Sequence, residues 1–218
     1  GACIKHYAAN NQESHRQTGN SVVDERTLHE IYLASFEEAV KKAKPWGVMC
    51  SYNQINGVFA AENKLLLTDI LRKKWGYDGM IVTDWGAVKN RVKGIEAGLD
   101  LEMPGGPGSL ANDARIVEAI KQGKLSEEEL DKAAGNVLRF IEKVNKGKKA
   151  NAAFDYEADY QTARRIAGEC AVLLKNDRKI LPLSEGKKIA FIGSFAEHPR
   201  IQGSGSSYIN SMKAPSIR

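Results

Sequence analysis

The apolar residues of this chain switch repeatedly between a strand-like and a helix-like rhythm, and the switches predict alternating strands and helices. Leu28, Ile31, Tyr32, Phe36, Ala39 and Val40 recur at helical spacing, which predicts a helix over about 25–42 capped by Asp24 and stopped by Pro45. GVMCSYN, Gly47 to Asn53, has the apolar density of a short buried strand, and Asn56-Gly57 predicts a turn after it. A helix over 64–75 leads through Gly76, Asp78 and Gly79 into a strand at 80–83. The pattern continues with a helix around 88–97, a short strand at 99–103, a break over 104–108 and a helix over 111–122. Ser126 followed by Glu129 reads as a capping box for a helix over 127–143. Strand, helix, strand with short connections and polar residues at strand ends is the pattern of a parallel barrel or a doubly wound sheet.

From Lys146 to about Tyr156 the sequence turns polar and loses its period, so a linker is expected there. After it come a helix over about 160–170, a strand at 171–175, a loop over 176–184 and a buried strand at 188–192. These predict a second α/β domain that begins near residue 160 and is unfinished at the end of the chain. The chain starts inside a motif-like stretch, GACIKHY, with no secretory pattern, which leads to the expectation of upstream sequence lost or carried elsewhere.

Composition narrows the function classes. The chain is 42% hydrophobic and 27% charged, and no apolar run reaches the roughly 18–20 residues that span a bilayer, so no membrane partner is expected. The net charge of +5 gathers mainly in KVNKGKK, Lys143 to Lys149, which reads as a solvated helix end rather than a nucleic-acid surface because no aromatic residues interleave it. Cys3, Cys50 and Cys170 are far apart and odd in number, as expected of buried thiols in a reducing, cytoplasmic setting, and none has a neighbour at metal-ligand spacing. The Gly203–Ser207 loop lacks the lysine of a phosphate-binding P-loop, so a structural or sugar-facing role is the expectation.

Candidate chemistry collects at four predicted strand ends. Lys5, His6 and Arg16 are hydrogen-bond donors suited to hydroxyl groups. Tyr52 follows the GVMC strand and offers a ring and a phenol. In MIVTDWGA an apolar strand ends on Asp84, a carboxylate able to face a cationic transition state, and on Trp85, an apolar plate for a sugar ring. In GLDLEMP, Asp100 and Glu102 alternate, so that one is expected to face the site and the other to act as a cap or salt-bridge partner.

KHYAANNQESHR, VDERTLHEIYLASFEEAV, VMCSYNQINGVFAAEN, LLTDILRKKWGYDGMIVTDWGA and AGLDLEMPG together resemble glycoside hydrolase family 3, and LLKNDRKILPL with KKIAFIG resembles that family's passage into its second domain. The resemblance implies the later βα units of a (β/α) barrel over 1–145, a linker over 146–159 and the start of an α/β sandwich domain over 160–218. It places the catalytic nucleophile on Asp84, at the aspartate of the family's SDW motif, here TDW. It places sugar contacts on Lys5, His6, Arg16, Tyr52 and Trp85, and a second-domain loop that approaches the sugar near Ser206 and Ser207.

The activity so implied is retaining hydrolysis of terminal β-D-glucosyl residues through a covalent glycosyl-enzyme, needing neither metal nor organic cofactor. The implied partners are β-linked glucosides or short oligosaccharides, together with the remainder of the same enzyme or a companion chain. KHYAANNQE lacks the PGHG run of the family's N-acetylglucosaminidase branch, which favours the glucosidase reading. A β-xylosidase component and a sugar-binding piece without turnover of its own remain the alternatives. The family's acid/base glutamate resembles a position beyond Arg218; Glu102 is the internal candidate for that role, and the resemblance does not place it there.

Overall fold

The structure, a computed structural model, describes residues 1–105 and 107–213, with the side chains of 107–110 and 207 outside the description. The chain divides into two compact units, Gly1–Asn151 and Ala152–Arg218. The described residues of the first unit contain strands β1 (Cys3–Tyr7), β2 (Asn20–Ser21), β3 (Gly47–Cys50), β4 (Gln54–Ile55), β5 (Val58–Phe59) and β6 (Met80–Thr83). One sheet has the order β1-β3-β6 with both pairings parallel, and Leu101 bridges to Val82 on the far side. All four residues of β6 are buried, as expected of a parallel strand covered on both faces. The other sheet is mixed: β2 pairs parallel with β4, and β4 turns back antiparallel to β5 through Asn56 and Gly57. Both turn residues have positive φ, 50° and 88°, the backbone that a two-residue hairpin demands and that Asn-Gly supplies.

Helices flank the parallel sheet. The expected helix after Asp24 forms over 25–43, with Asp24 accepting from the Thr27 amide, but two of its turns are wide. Leu33 donates to Leu28 at 2.9 Å and Lys44 to Ala39 at 3.2 Å, five residues back rather than four. Each wide turn absorbs an extra residue and rotates the buried face. Leu28, Leu33 and Val40 are therefore buried, whereas Ile31, expected inside, is 66% exposed. The next helix, Leu65–Lys74, is wound in the same wide manner and buries Leu66, Leu67, Ile70 and Leu71. These side chains pack with Tyr7, Val48, Ile81 and Leu99 in one core cluster. Tyr7 crosses that core to donate its hydroxyl to the Leu66 carbonyl at 3.1 Å.

Helices Arg91–Ala97, Pro107–Lys121 and Glu127–Gly147 complete the unit, the first two sharing a smaller cluster of Ile95, Ile116, Ala119 and Leu125. The capping box forms as expected: Ser126 and Glu129 satisfy one another's backbone amides. The helix at 107 begins inside the stretch expected to be broken, and the strand expected over 99–103 is reduced to the single bridge at Leu101. Backbone bonds from Leu101 N to Ile81 O at 3.0 Å and from Thr83 N to Leu101 O at 3.1 Å make that bridge, and side-chain bonds reinforce it. Asp100 accepts from Ile81 N at 2.7 Å, Arg72 Nη2 at 2.6 Å and Asn136 Nδ2 at 2.7 Å. Asp100 is thus a buried salt-bridge partner at the opening of β6. Burial pushes its carboxyl above the ordinary range, and Arg72 pulls it back.

The second unit holds the helix Tyr156–Glu169, capped by Asp155, which starts four residues before its expected position. The strands expected at 171–175 and 188–192 are not formed among the described residues. Strands exist only with a ladder partner, and here the would-be core side chains stand in solvent: Val172 is 78%, Leu174 91% and Ile192 94% exposed. Of the three thiols expected to be buried, only Cys50 is; its burial pushes the thiol up to about 12.

Candidate active site

Register brings the candidate residues together. Tyr7 lies opposite Cys50, and Cys50 opposite Thr83, so the three parallel strands end level. The residues that leave the sheet next to one another are therefore those flagged for chemistry, Tyr52 after β3 and Asp84 with Trp85 after β6, beside His6 in β1. Asp84 is fixed by its own amide, which donates to the Cys50 carbonyl at 3.2 Å. Its Oδ1 accepts from the Trp85 amide at 2.7 Å, and its Oδ2 lies 3.2 Å from His6 Nε2. The carboxylate is 17% exposed, held by the Trp85 amide and flanked by His6 yet reachable.

Tyr52 is buried and donates its hydroxyl to the Trp85 carbonyl at 2.8 Å, so the tyrosine braces the peptide that follows Asp84. Burial first, then the charge of Asp84, push the phenol above its ordinary value. Arg16 places its guanidinium carbon 4.7 Å from the centre of the Tyr52 ring, and pairs with Glu13 at 2.7 Å. Trp85 is 60% exposed, an open aromatic surface next to the carboxylate. The Tyr52 arrangement carries a directional test. In an absorbance titration differenced against Tyr52→Phe, the Tyr52 phenolate is expected to form above the ordinary tyrosine range. In an Asp84→Asn background its midpoint should fall, because the repelling anion is gone; an unmoved midpoint would show that the phenol does not sense Asp84.

The remaining candidates are placed as follows. Lys5 is exposed and borders, with His6, Asn10, Asn11 and Tyr32, a cavity of about 410 Å³. Arg16 borders a cavity of about 500 Å³ that shares Asn10, Asn11 and Tyr32 with the first. Neither is lined by Asp84 or Trp85, so these hollows flank the carboxylate instead of enclosing it. Glu102 accepts from Asn112 at 2.8 and 3.1 Å and lies 3.8 Å from Arg91, engaged away from Asp84. Ser206 sits in a one-turn helix, Gly205–Ser207, whose loop is closed by paired bonds between Gln202 and Ile209 at 2.8 and 3.0 Å. The side chain of Ser207 lies outside the described residues. Among the described residues no cluster of His, Cys, Asp and Glu has the makings of a metal site, and no helix is long and apolar enough to cross a membrane.

Two contributors escaped the reading of the sequence. Glu13 orients Arg16, a pairing that its three-residue spacing could have signalled. Buried Asn53 ties the exit of β1 to β2 by donating to the carbonyls of Ala8 and Ala9 and to Ser21 Oγ, at 3.2, 3.3 and 3.2 Å.

Residues 2–140 match the profile described as the glycosyl hydrolase family 3 N terminal domain, and residues 171–217 match the glycosyl hydrolase family 3 C-terminal domain. The whole chain is 53% identical to 28% of thermostable beta-glucosidase B from Acetivibrio thermocellus, and 44% identical to 30% of an exo-alpha-(1->6)-L-arabinopyranosidase from Bifidobacterium breve. All of it also superposes on 32% of the crystal structure of a Bifidobacterium adolescentis GH3 beta-glucosidase, with a TM-score of 0.92 and 45% identity. A Thermotoga neapolitana beta-glucosidase 3B solved with alpha-D-glucose gives a TM-score of 0.90 at 42% identity, over 31% of its length. The chain spans about a third of the length of these relatives. A parallel sheet that ends on Asp84 and Trp85, together with a profile match over most of the sequence, makes this chain a member of glycoside hydrolase family 3.

Proposed function

We propose that this chain supplies the nucleophile of a retaining β-glucosidase, and that the observation carrying this reading is the Asp84 carboxylate held between His6 Nε2 at 3.2 Å and the Trp85 amide at 2.7 Å. In this reading the consecutive parallel strands β1, β3 and β6 are later strands of a (β/α) barrel, and the second unit opens an α/β sandwich. Asp84 attacks the anomeric carbon while an acid protonates the leaving oxygen, and water then releases the sugar from the covalent intermediate. The Trp85 amide and the neighbouring His6 ring aim the carboxylate. Trp85 receives the apolar face of the ring, and Lys5, His6 and Arg16 hold hydroxyl groups.

The acid/base partner must be a carboxyl group about 5–5.5 Å from Asp84. Glu102 is engaged with Asn112 and Arg91, so the role falls to a group from the remaining two thirds of a family-length enzyme. The substrate is a β-glucoside, as the names of the beta-glucosidase relatives suggest. The similarity to an arabinopyranosidase favours a second reading, a pentopyranoside-cleaving enzyme, since the walls of the pocket that admit or reject a hydroxymethyl group decide between the two. Proton NMR of the complete enzyme acting on an aryl β-glucoside tests the mechanism. The β-anomer of the free sugar is expected to appear first, and initial release of the α-anomer would overturn the retaining reading.

A further inference from the structure

The residue before the nucleophile is fully buried Thr83, whose side chain none of the proposed sugar contacts or catalytic steps uses. Its hydroxyl accepts from the Met103 amide at 2.8 Å and donates to the Met103 carbonyl at 3.2 Å. The same carbonyl accepts from the Gly86 amide at 2.8 Å, while the Thr83 amide donates to Leu101 at 3.1 Å. Asp84 and Trp85 therefore lie between two anchors that converge on one residue of the neighbouring segment. The backbone bonds of this clamp are independent of residue type; the Thr83 hydroxyl is the part written in the sequence. A valine there would fill the same space and leave the Met103 amide without its acceptor.

We infer that Thr83 is a positioning residue for the nucleophile, its hydroxyl fixing the turn that aims the Asp84 carboxylate through the paired bonds to Met103. This rests on the assignment of Asp84 as nucleophile and adds a requirement to it. The hydroxyl touches no substrate, so its loss should leave sugar binding nearly intact and slow the bond-making step, for which a displacement of about 1 Å can cost on the order of 100-fold.

The test compares Thr83→Val, Thr83→Ser and Asp84→Asn in the complete enzyme on an aryl β-glucoside. Thr83→Val is expected to lower kcat by about 10–100-fold with KM within about threefold, and Thr83→Ser, which restores the hydroxyl, to return most of the rate. If Thr83→Val does not accumulate folded protein, Thr83→Cys, with a weaker donor and acceptor at the same place, should give a kcat between Ser and inactive. A wild-type kcat in folded Thr83→Val or Thr83→Cys, alongside an inactive Asp84→Asn, would overturn the positioning role alone. Full activity in Asp84→Asn would overturn the nucleophile reading. A rise in KM equal to the fall in kcat/KM would assign Thr83 to binding and defeat the inference.

Discussion

Asp84→Asn in the complete enzyme is expected to lower kcat on an aryl β-glucoside by at least about 10³-fold, the largest effect of any single substitution considered. The amide is nearly isosteric with the carboxylate, and its oxygen can still accept from the Trp85 amide that now bonds Asp84 at 2.7 Å. Fold and sugar binding should survive, so the loss should appear in kcat with KM little raised. What disappears is the anion that forms the bond to the anomeric carbon. Quenching the unsubstituted enzyme during turnover of a slow substrate should leave a peptide spanning Met80 to Ala87 heavier by one glycosyl residue, and Asp84→Asn should leave none. Mass spectrometry that finds the sugar on another peptide would remove Asp84 from the role.

Arg72→Met is expected to give the largest loss of stability, about 3–5 kcal/mol in urea unfolding. The side chain of Asp100 is 1% exposed and that of Arg72 19%, so removing the cation strands a buried carboxylate and takes the Arg72 donor from the Gly79 carbonyl. The pH dependence has a definite sign. Burial raises the Asp100 pKa in the folded state, and Arg72 is the largest cause lowering it. Without Arg72 the folded value rises further above the unfolded value of about 3.9, so the folded state holds the proton more tightly. Stability of Arg72→Met should therefore be best near and below pH 4 and fall as pH rises through the folded pKa. Adding Asp100→Asn to Arg72→Met should recover part of the loss at pH 7, since the stranded charge is gone. A pH-independent deficit, or no recovery in the double variant, would mean that packing of the arginine stem dominates.

The clustering of candidate side chains at one end of the parallel sheet was legible in the sequence, and much of what surrounds them was not. Asp84, Trp85, Tyr52 and His6 could be named because each ends or borders an apolar strand segment, and parallel strands that end level bring such ends together without further information. Asn53 and the Thr83 hydroxyl were invisible because their roles depend on partners far off in the chain or on the backbone of Met103, whereas the Glu13–Arg16 pair lay within reach of local spacing. Asp100 and Glu102 alternate along a segment with strand-like polarity, yet local spacing cannot show that Arg72 and Asn136 wait for one, and Arg91 and Asn112 for the other. In the second unit, Val172, Leu174 and Ile192 have strand-forming character, but a strand is a property of two segments, and the sequence of one does not supply the other.

The wide turns near Leu33 and Lys44 carry a consequence for how this helix tolerates change in length. A turn that closes on the fifth residue is how a helix accommodates a single inserted residue while leaving the rest of its winding intact. The outward position of Ile31 beside inward Leu28 and Leu33 is the local mark of such an accommodation. Deleting one residue between 28 and 33 would let ordinary winding resume and keep Val40 facing the core, whereas the same deletion in the evenly wound helix Glu127–Gly147 would turn everything beyond it by about 100°. Chain length is thus negotiable in the helix over 25–43 and fixed in Glu127–Gly147, and alignments of related sequences should place their single-residue gaps accordingly.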